Sequence, residues 1–372
     1  MGEAKKIRVA QIMGKLWSGG VEMVVFNYYR AIDKSKFQFD FYYDADSTVA
    51  PPQELIDMGA RFIEVPPYQQ LPLYLKTLKK HFEENKYVIV HSHINTLSVF
   101  PLYVAWKCGV PVRIAHNHSV PGGENWRRTA LKNILKKFAL VFPTDYLACS
   151  EKAGRWLFGN KNYDSGKVIV IKNAVDFSRF QPNMDLKSRL VDKLGLSGKL
   201  VIGCIGRFTF AKNHKFLIEI FEEIKKQQNN AILLLVGGGE LDNVLHKIVT
   251  EKGLKDDVIF AGQVSNPENY YTLCDVVVVP SIFEGLSLTT IEAQIARVPV
   301  VISEAVPDEA MISNGCRRVM LTDSVEQWSK SIIDSVGKKV FLDERSNNYD
   351  MSKAVRRLEK LYLKLEQENN CI

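Results

Sequence analysis

The segment 275–303 reads DVVVVPSIFEGLSLTTIEAQIARVPVVIS. It begins and ends with short runs of β-branched apolar residues, and its middle part has the apolar spacing of an amphipathic helix. A strand, a loop, a helix and a second strand in this order form the repeating unit of a parallel α/β sheet. The nearly continuous apolar character of both runs predicts strands that are buried on both faces.

Strand patterns of the same kind recur along nearly the whole chain, with helical patterns between them. In the first half they lie at 7–13, 37–43, 61–65, 87–93, 112–118, 146–150 and 168–173. In the second half they lie at 199–207, 231–238, 258–263, 275–281 and 298–303. These strands are too many for one small sheet, and the polar segment 178–199 separates the two series.

The length of 372 residues also favours more than one core. We predict an α/β protein of two Rossmann-like parallel-sheet domains, 1–180 and 181–350, that face an interdomain cleft. The segment 351–372 is predicted to form an exposed C-terminal helix, which can pack back on the first domain. Because parallel sheets bind ligands at the carboxyl ends of their strands, functional residues are expected directly after the strands.

The composition is ordinary for a soluble globular protein, with 46% hydrophobic and 24% charged residues. No apolar run approaches the roughly 18–20 residues that span a bilayer. The six cysteines are scattered without close pairing, which favours a reduced, cytoplasmic protein. The net charge of +7 suits acidic partners such as nucleotides or anionic lipid headgroups.

Two carboxylates follow the strand at 275–281. Glu284 is predicted to lie in a loop and Glu292 in the next helix, for which Ser287 is the expected N-cap. Glu284 can accept hydrogen bonds from sugar hydroxyls, and Glu292 from the paired hydroxyls of a ribose. A structural role is the alternative for each, because Thr289 and Glu292 have capping-box spacing.

Two loops between a strand and a helix have features of anion sites. Gly19 and Gly20 follow the first strand, and a glycine pair lets the backbone approach a ligand closely. Arg207 and Lys212 precede another helix, and two cations at a helix N-terminus can hold a diphosphate. The alternatives are a plain turn for the glycines and an ordinary surface loop for the cations.

Two other groups of residues suggest metal chemistry. Asp44 and Asp46 form a D-x-D pair that can bind a divalent ion together with a nucleotide diphosphate. Four histidines at the ends of two strands can converge on zinc in a metal-dependent hydrolase: His91, His93, His116 and His118. No carboxylate ligand accompanies them, so we expect no zinc and interpret them as hydrogen-bonding groups for a substrate.

Several motifs in a fixed order are more specific than any one of them. Between about residues 7 and 303 the chain contains GKLWSGGVE, HSH, RIAHNHS, ACSEKAGRWLFG, VIKNAVDFSRF, GRFTFAKNHKFLIEIF, LLLVGGGEL and FEGLSLTTIEAQ. In this combination the chain resembles the family 4 retaining glycosyltransferases of the GT-B fold, of the bacterial exopolysaccharide and capsular polysaccharide type. Its two glutamates match the E-x7-E element of that family.

The resemblance implies a metal-independent hexosyltransferase that needs no cofactor and binds no nucleic acid. It implies that a sugar moves from a nucleotide-diphosphate donor, commonly a UDP-sugar, to a glycan or lipid-linked acceptor in surface polysaccharide synthesis. The anomeric configuration is retained, and the transition state resembles an oxocarbenium ion. The alternatives are a nucleotide-sugar epimerase of GT-B fold, a histidine-cluster metallohydrolase and a non-catalytic GT-B partner subunit.

The resemblance also assigns roles to residues. Arg207 and Lys212 correspond to the cations that bind the diphosphate. Glu284 and His116 correspond to catalytic groups that hold the donor sugar, with His118 as a further sugar contact and Glu284 as a nucleophile in a minor alternative. The remaining donor-binding positions are Gly19, Gly20, Gly206, Gly262, Gln263, Val264, Gly285, Leu286, Ser287 and the ribose-binding Glu292.

Three positions depart from the common family pattern. Ser287 and Thr289 replace the second glycine and the proline of E-G-F-G-L-P. Arg297 stands where a helix-ending glycine is common, so we expect this helix end to be satisfied in another way.

The segment 124–142 reads ENWRRTALKNILKKFALVF and has the pattern of a basic amphipathic helix. Its basic residues are Arg127, Arg128, Lys132, Lys136 and Lys137. The apolar residues between them are Trp126, Leu131, Ile134, Leu135 and Phe138. Such a helix can lie on anionic lipid, which predicts peripheral contact with the inner face of the cell membrane. An ordinary helix that packs on the sheet is the alternative.

Overall fold

The structure is a computed structural model that describes residues 6–17, 20–119, 126–181, 183–264 and 266–370. The chain divides into two compact units. The first unit extends to Val175 and resumes at Asn348, and the second unit is Asp176–Asn347. Each unit contains one parallel sheet, as the sequence predicts.

The first unit has a sheet of seven strands in the order β3-β2-β1-β4-β5-β6-β7. These strands are β1 Ile7–Gly14, β2 Phe37–Asp44, β3 Arg61–Val65, β4 Ile89–Ser92, β5 Val112–Asn117, β6 Asp145–Ala148 and β7 Val168–Val170. The helices of this unit are α1 Gly20–Ala31, α2 Gln53–Asp57, α3 Leu71–Asn85, α4 Val99–Lys107, α5 Trp126–Lys136, α6 Glu151–Phe158, α7 Asn160–Asp164 and, at the end of the chain, α14 Met351–Asn370.

The second unit has a sheet of six strands in the order β10-β9-β8-β11-β12-β13. These strands are β8 Leu200–Ile205, β9 Ala231–Val236, β10 Val258–Gly262, β11 Val276–Val279, β12 Val300–Ser303 and β13 Cys316–Val319. The helices of this unit are α8 Met184–Leu194, α9 His214–Gln227, α10 Asp242–Glu251, α11 Glu268–Tyr271, α12 Leu288–Ile295 and α13 Val325–Ile333.

The strand order reverses once in each sheet. In the first sheet β1 lies between β2 and β4, and in the second sheet β8 lies between β9 and β11. Connections leave the sheet in opposite directions at such a point, which opens a crevice at the carboxyl ends of the two central strands. The loops after β1, β4, β8 and β11 are therefore the expected ligand-binding loops.

Every strand predicted from the sequence is present, with ends that differ by a few residues. The strand β13 is not among the predicted strands, because its sequence lacks the apolar pattern of a buried strand. It is an edge strand that pairs with β12 and contains Arg317 and Arg318. An edge strand tolerates charged residues, so it carries no apolar run of the kind that marks the central strands.

The apolar core of the second unit holds β11, the first strand of the segment 275–303, in place. Val276 and Val278 of β11 belong to one buried apolar cluster with Ile218 of α9 and Trp328 of α13. Since parallel strands are covered by helices on both faces, this packing leaves β11 a single position in the sheet. The loop that follows β11 is thereby anchored at its start.

The helix α14 packs back on the first unit, as the sequence allows, but it is less exposed than predicted. It packs against α1, and its apolar stripe with Leu358, Tyr362 and Leu365 is buried. The Tyr362 ring lies 6.0 Å from the ring of Phe37 and 6.1 Å from that of Phe39. The many charged residues of α14 hide this stripe in the composition, although they occupy only the other face of the helix.

The helix α12 ends at a left-handed residue that is not glycine. Arg297 has a φ of 64°, and its N–H donates to the carbonyl of Gln294. The N–H of Val298 donates to the carbonyl of Ala293, which completes a Schellman motif. The expectation that this end is satisfied in another way is wrong, because the arginine itself adopts the conformation that usually requires glycine.

We predict that Arg297→Gly is more stable than Arg297→Ala by about 1 kcal/mol, because both lose the side chain but only glycine adopts this conformation without strain. The measurement is the free energy of unfolding in urea. The explanation fails if the alanine variant is as stable as the glycine variant.

Candidate functional site

The loops after β8 and β11 meet where the strand order of the second sheet reverses. Lys212 of the first loop donates from Nζ to Oε1 of Glu284 in the second loop over 2.6 Å. The hydroxyl of Ser281 donates to the same oxygen over 2.7 Å. Glu284 is buried, so this ion pair is partly shielded from solvent. The structure thus brings together two of the predicted catalytic residues.

Ser281 supports the predicted site residue Glu284, and the sequence analysis did not identify it. Its side chain is fully buried, and its carbonyl accepts a hydrogen bond from Ser303 at the end of β12. The serine therefore connects Glu284 to the sheet. Its only signal in the sequence is a small polar residue after a strand, and such residues are common there.

The two predicted cations lie in the loop before α9. Arg207 is exposed, whereas only 24% of the Lys212 side chain is exposed. The helix begins at His214, and its N-cap Asn213 makes no side-chain capping bond. The N–H groups of the first turn and the two cations therefore suit an anion.

Glycines at the ends of β8, β9 and β10 allow the backbones of these strands to lie in close contact. A Cβ atom at Gly237 would lie 2.0 Å from the carbonyl oxygen of Gly206. The N–H of Gly237 donates to the carbonyl of Gly262 over 2.9 Å. These contacts connect two predicted donor-site glycines through a third one. Gln263, which is exposed, and the partly buried Val264 follow directly after Gly262.

Glu292 lies in the second turn of α12 and is held by a tyrosine that the sequence analysis did not identify. The hydroxyl of the fully buried Tyr271 donates to Oε2 of Glu292 over 2.7 Å. Burial raises the pKa of Glu292, and the hydrogen bond from Tyr271 opposes this rise. The side chain of Glu292 is thus orientated by Tyr271, a residue of the same unit.

Ser287 occupies the predicted N-cap position of α12, but its side chain does not cap the helix. It is left-handed, with a φ of 66°, and its hydroxyl pairs with that of Thr290 over 2.8 Å. A left-handed residue here explains the glycine of the related E-G-F-G-L-P motif. Gly285 and the buried Leu286 form the loop before it.

The glycine loop of the first unit is described only in part. Gly20 is the first residue of α1, whereas Gly19 lies outside the described residues. The carboxylate of Glu22 in the first turn accepts a hydrogen bond from the N–H of Trp17 over 3.1 Å. A carboxylate therefore already lies at this helix N-terminus.

The four predicted histidines lie together in the first unit. Nε2 of His91 lies 3.1 Å from Nδ1 of His116, and Nδ1 of His93 lies 2.9 Å from Nε2 of His118. All four rings are buried. The i, i+2 spacing on neighbouring strands places them on one face of the sheet, as the sequence suggests.

Other side chains already engage several nitrogen atoms of this cluster. The hydroxyl of Tyr362 lies 2.7 Å from Nδ1 of His91, and Oε1 of Gln11 lies 2.8 Å from Nε2 of His93. Nitrogen atoms of His91, His93 and His116 lie within 4.8 Å of one another, so they could hold a metal ion. In the described part of the chain this group contains imidazoles alone, and coordination would break existing hydrogen bonds.

The D-x-D pair lies at the end of β2. Asp46 forms an ion pair with Lys15 over 3.0 Å. Burial, with the neighbouring carboxylate of Asp46, raises the pKa of Asp44 to about 7. Among the described residues the two aspartates do not form part of a three-residue metal group.

Known families match both halves of the chain. The family described as glycosyltransferase family 4 matches residues 18–179, and the family described as glycosyl transferases group 1 matches residues 187–369. EpsF of Bacillus subtilis (strain 168), which is named as a glycosyltransferase, is 30% identical over an alignment of 377 positions that covers 98% of each chain.

The chain belongs to glycosyltransferase family 4. An Escherichia coli relative, a UDP-Gal:α-D-GlcNAc-diphosphoundecaprenol α-1,3-galactosyltransferase, is 24% identical over 96% of this chain and 97% of its own. The crystal structure of HepE from Anabaena in complex with UDP is 20% identical, with a TM-score of 0.75 over 97% of this chain and all of that one. The transferase thus has the predicted GT-B fold.

Burial keeps the histidines of this transferase neutral. Burial and the neighbouring imidazoles hold the pKa values of His91, His93 and His116 well below 6.5, and burial lowers the pKa of His118 to about 4. The unfolded chain therefore binds more protons than the folded one between these values and 6.5. Stability from this source is complete above pH 6.5 and falls as the pH decreases.

We predict that the free energy of unfolding in urea falls between pH 7.5 and pH 5, with each of these histidines adding about 1.4 kcal/mol per pH unit below pH 6.5. The raised pKa values of Asp44 and Glu292 act in the opposite sense and reduce the slope. The His118→Gln variant should take up about one proton fewer on unfolding than the wild type does below pH 6.5. A slope in His118→Gln that equals the slope of the wild type contradicts the assignment.

Proposed function

We propose that this transferase moves a sugar from a UDP-sugar to a lipid-linked glycan acceptor during surface polysaccharide synthesis, with retention of the anomeric configuration. The pairing of Lys212 with the buried Glu284, beside the uncapped start of α9, supports this proposal most directly. It places cations and a hydrogen-bond acceptor next to each other, as a diphosphate and a sugar require. In this scheme the second unit binds the donor and the first unit binds the acceptor.

The nucleotide assignment rests on two observations about related proteins. The Escherichia coli relative is named for a UDP-galactose donor and a diphosphoundecaprenol-linked acceptor, and HepE binds UDP and UDP-glucose. In this chain the backbone groups of Gly262, Gln263 and Val264 would contact the base. Glu292 would accept from the ribose hydroxyls while Tyr271 holds its other oxygen.

The proposed reaction is a displacement at the anomeric carbon. The bond to the departing diphosphate oxygen breaks, and the acceptor oxygen forms its bond to the same face of the sugar. The acceptor proton passes to the departing phosphate oxygen, so no protein base is required. Arg207, Lys212 and the start of α9 would stabilise the charge that develops on the diphosphate.

Lys212 can serve the phosphate without leaving Glu284. An ammonium group has three N–H donors, and Glu284 uses one of them. Ser281 holds the same carboxylate oxygen, so Oε2 of Glu284 is directed to sugar hydroxyls in this proposal. In the first unit, His116 and His118 are the proposed sugar contacts, and no metal ion takes part.

We predict that Arg207→Ala and Lys212→Ala each lower kcat by roughly 10²–10³-fold, because their charges matter most when the leaving group gains charge. Glu292→Ala should instead raise KM for the donor, because it contacts the nucleotide in the ground state and the transition state alike. Lys215→Ala, on the exposed side of α9, is the matched control and should keep the activity. The measurement is radiolabelled sugar transfer from a screened donor, with folding checked by circular dichroism.

Near-normal turnover in both the Arg207 and the Lys212 variants contradicts the proposed donor site. A product that is an epimerised nucleotide sugar, with no glycosylated acceptor, contradicts the proposed transfer.

We also propose that the surface around α5 docks on an anionic phospholipid bilayer. Five apolar side chains there are exposed: Leu131, Ile134, Phe138, Leu140 and Val141. Lys132, Lys136 and Lys137 lie among them, which favours a surface of negative charge. Leu135 is buried and packs inward, while the side chains of 126–129 lie outside the described residues. No described helix is both long and apolar enough to cross a membrane.

We predict that the transferase sediments with vesicles that contain phosphatidylglycerol and not with pure phosphatidylcholine. Lys132→Glu with Lys137→Glu should weaken this binding by more than tenfold, because each lysine near an anionic surface contributes about 1 kcal/mol. The matched control is Lys79→Glu with Lys80→Glu on the exposed side of α3. Absence of binding at low salt, or equal loss in the control, rejects the docking surface.

A further inference from the structure

A short turn at the start of the second unit packs against the two helices that hold Glu292. The turn is Phe177–Phe180, and it contacts both α11 and α12. Its last residue, Phe180, is buried, and its ring lies 5.7 Å from the ring of Tyr271. Tyr271 in turn donates a hydrogen bond to Glu292 over 2.7 Å. The turn therefore supports the tyrosine that orientates Glu292.

An ion pair joins the same turn to α11. Nε and a terminal nitrogen of Arg179 donate to Oε1 of Glu268 over 3.1 and 2.5 Å. Glu268 and Tyr271 lie three positions apart on α11, so the ion pair and the ring contact act on one face of this helix. Only 24% of the Arg179 side chain and 10% of the Glu268 side chain are exposed, so water screens the pair only in part.

Charged groups from three elements act on the carboxyl group of Glu292. They are Glu268 of α11, Lys212 before α9 and Arg179 of the turn. Burial contributes most to the raised pKa of Glu292, the hydrogen bond from Tyr271 opposes it, the charge of Glu268 adds to it, and the two cations oppose it. A carboxylate of Glu268 without its cation would therefore favour the protonated form of Glu292, which is a poorer acceptor.

We propose that Arg179 is a positioning residue for the nucleotide, because it neutralises Glu268 and so keeps Glu292 as an ionised acceptor. The contact of Glu292 with a ribose rests on the proposed function. The action of Arg179 rests on contacts within the second unit, where it works through the neighbours of Glu292 and not through the reacting atoms.

The test is the titration of the Glu292 carboxyl group, followed by ¹³C NMR on ligand-free protein labelled at the glutamate carboxyl carbons and assigned with Glu292→Gln. Arg179→Met leaves the charge of Glu268 uncompensated, so the midpoint of Glu292 should move to higher pH. Glu268→Gln removes that charge and leaves the cation, so the midpoint should move to lower pH. A purely structural role does not predict shifts of opposite sign, because both variants break the same ion pair.

Further variants separate the charge of Arg179 from its packing. Arg179→Met combined with Glu268→Gln removes both charges and should return the midpoint toward that of the wild type. Arg179→Lys keeps a positive charge and should restore most of the wild-type behaviour. The matched control is Arg189→Met, which removes the charge of an exposed arginine of α8 in the same unit and should leave the midpoint unchanged.

Binding of UDP, measured by titration calorimetry, connects the titration of Glu292 to the nucleotide. We expect Arg179→Met to weaken UDP binding about tenfold at pH 6, because a larger fraction of Glu292 is then protonated. The loss should be much smaller at pH 8, where Glu292 should be ionised in both proteins. The ionisation of UDP itself is the same for both proteins and cancels in the ratio.

A Glu292 midpoint that is the same in Arg179→Met and wild type overturns the proposal, and so do shifts of the same sign in Arg179→Met and Glu268→Gln. If Arg179→Met does not fold, the isosteric Glu268→Gln decides, and an unchanged or higher midpoint overturns the proposal. These results need no ligand. Failure of the wild type to bind UDP, in contrast, would reject the nucleotide assignment, while the titration still decides the action of Arg179 on Glu292.

Discussion

The reversal of strand order in each parallel sheet determines where this transferase can form a polar site. Elsewhere in the sheets the strands are covered by helices, and their ends are separated by regular crossover connections. At β8 and β11 the connections diverge, so the loops with Lys212 and Glu284 can meet across a gap in the helical layer. At β1 and β4 the same reversal brings Gln11 beside His93.

The two units solve the problem of buried polar groups in different ways. The second unit buries the charged Glu284 and compensates it with an ammonium group and a hydroxyl. The first unit buries four imidazoles, and burial keeps them neutral so that they can pair with one another. A charged pair suits a ligand that carries charge, whereas each neutral imidazole has one donor and one acceptor nitrogen and can pair with another imidazole.

The helix α12 combines two strained backbone positions with Glu292, a predicted donor-binding residue. Ser287 at its start and Arg297 after its end both have left-handed backbones, which cost about 1–2 kcal/mol for each non-glycine residue. The fully buried Ile291 and the hydrogen bond from the Thr289 hydroxyl to the carbonyl of Ile205 hold the helix in place despite this cost. Its position in turn carries Glu292 to the hydroxyl of Tyr271.

The sequence by itself determined the α/β class, the central strands, the loops that carry Arg207, Lys212 and Glu284, and membership of the family. These features depend on side-chain period and on order along the chain, which are local properties. Only the tertiary structure showed the burial of α14, the edge strand β13 and the hydrogen bonds from Ser281 and Tyr271 to the predicted site residues Glu284 and Glu292. Those contacts join residues that no local pattern relates, such as Lys212 and Glu284 at a separation of 72 positions. They exist because folding brings strand ends together, and the energy of each hydrogen bond depends on that proximity and on the exclusion of water.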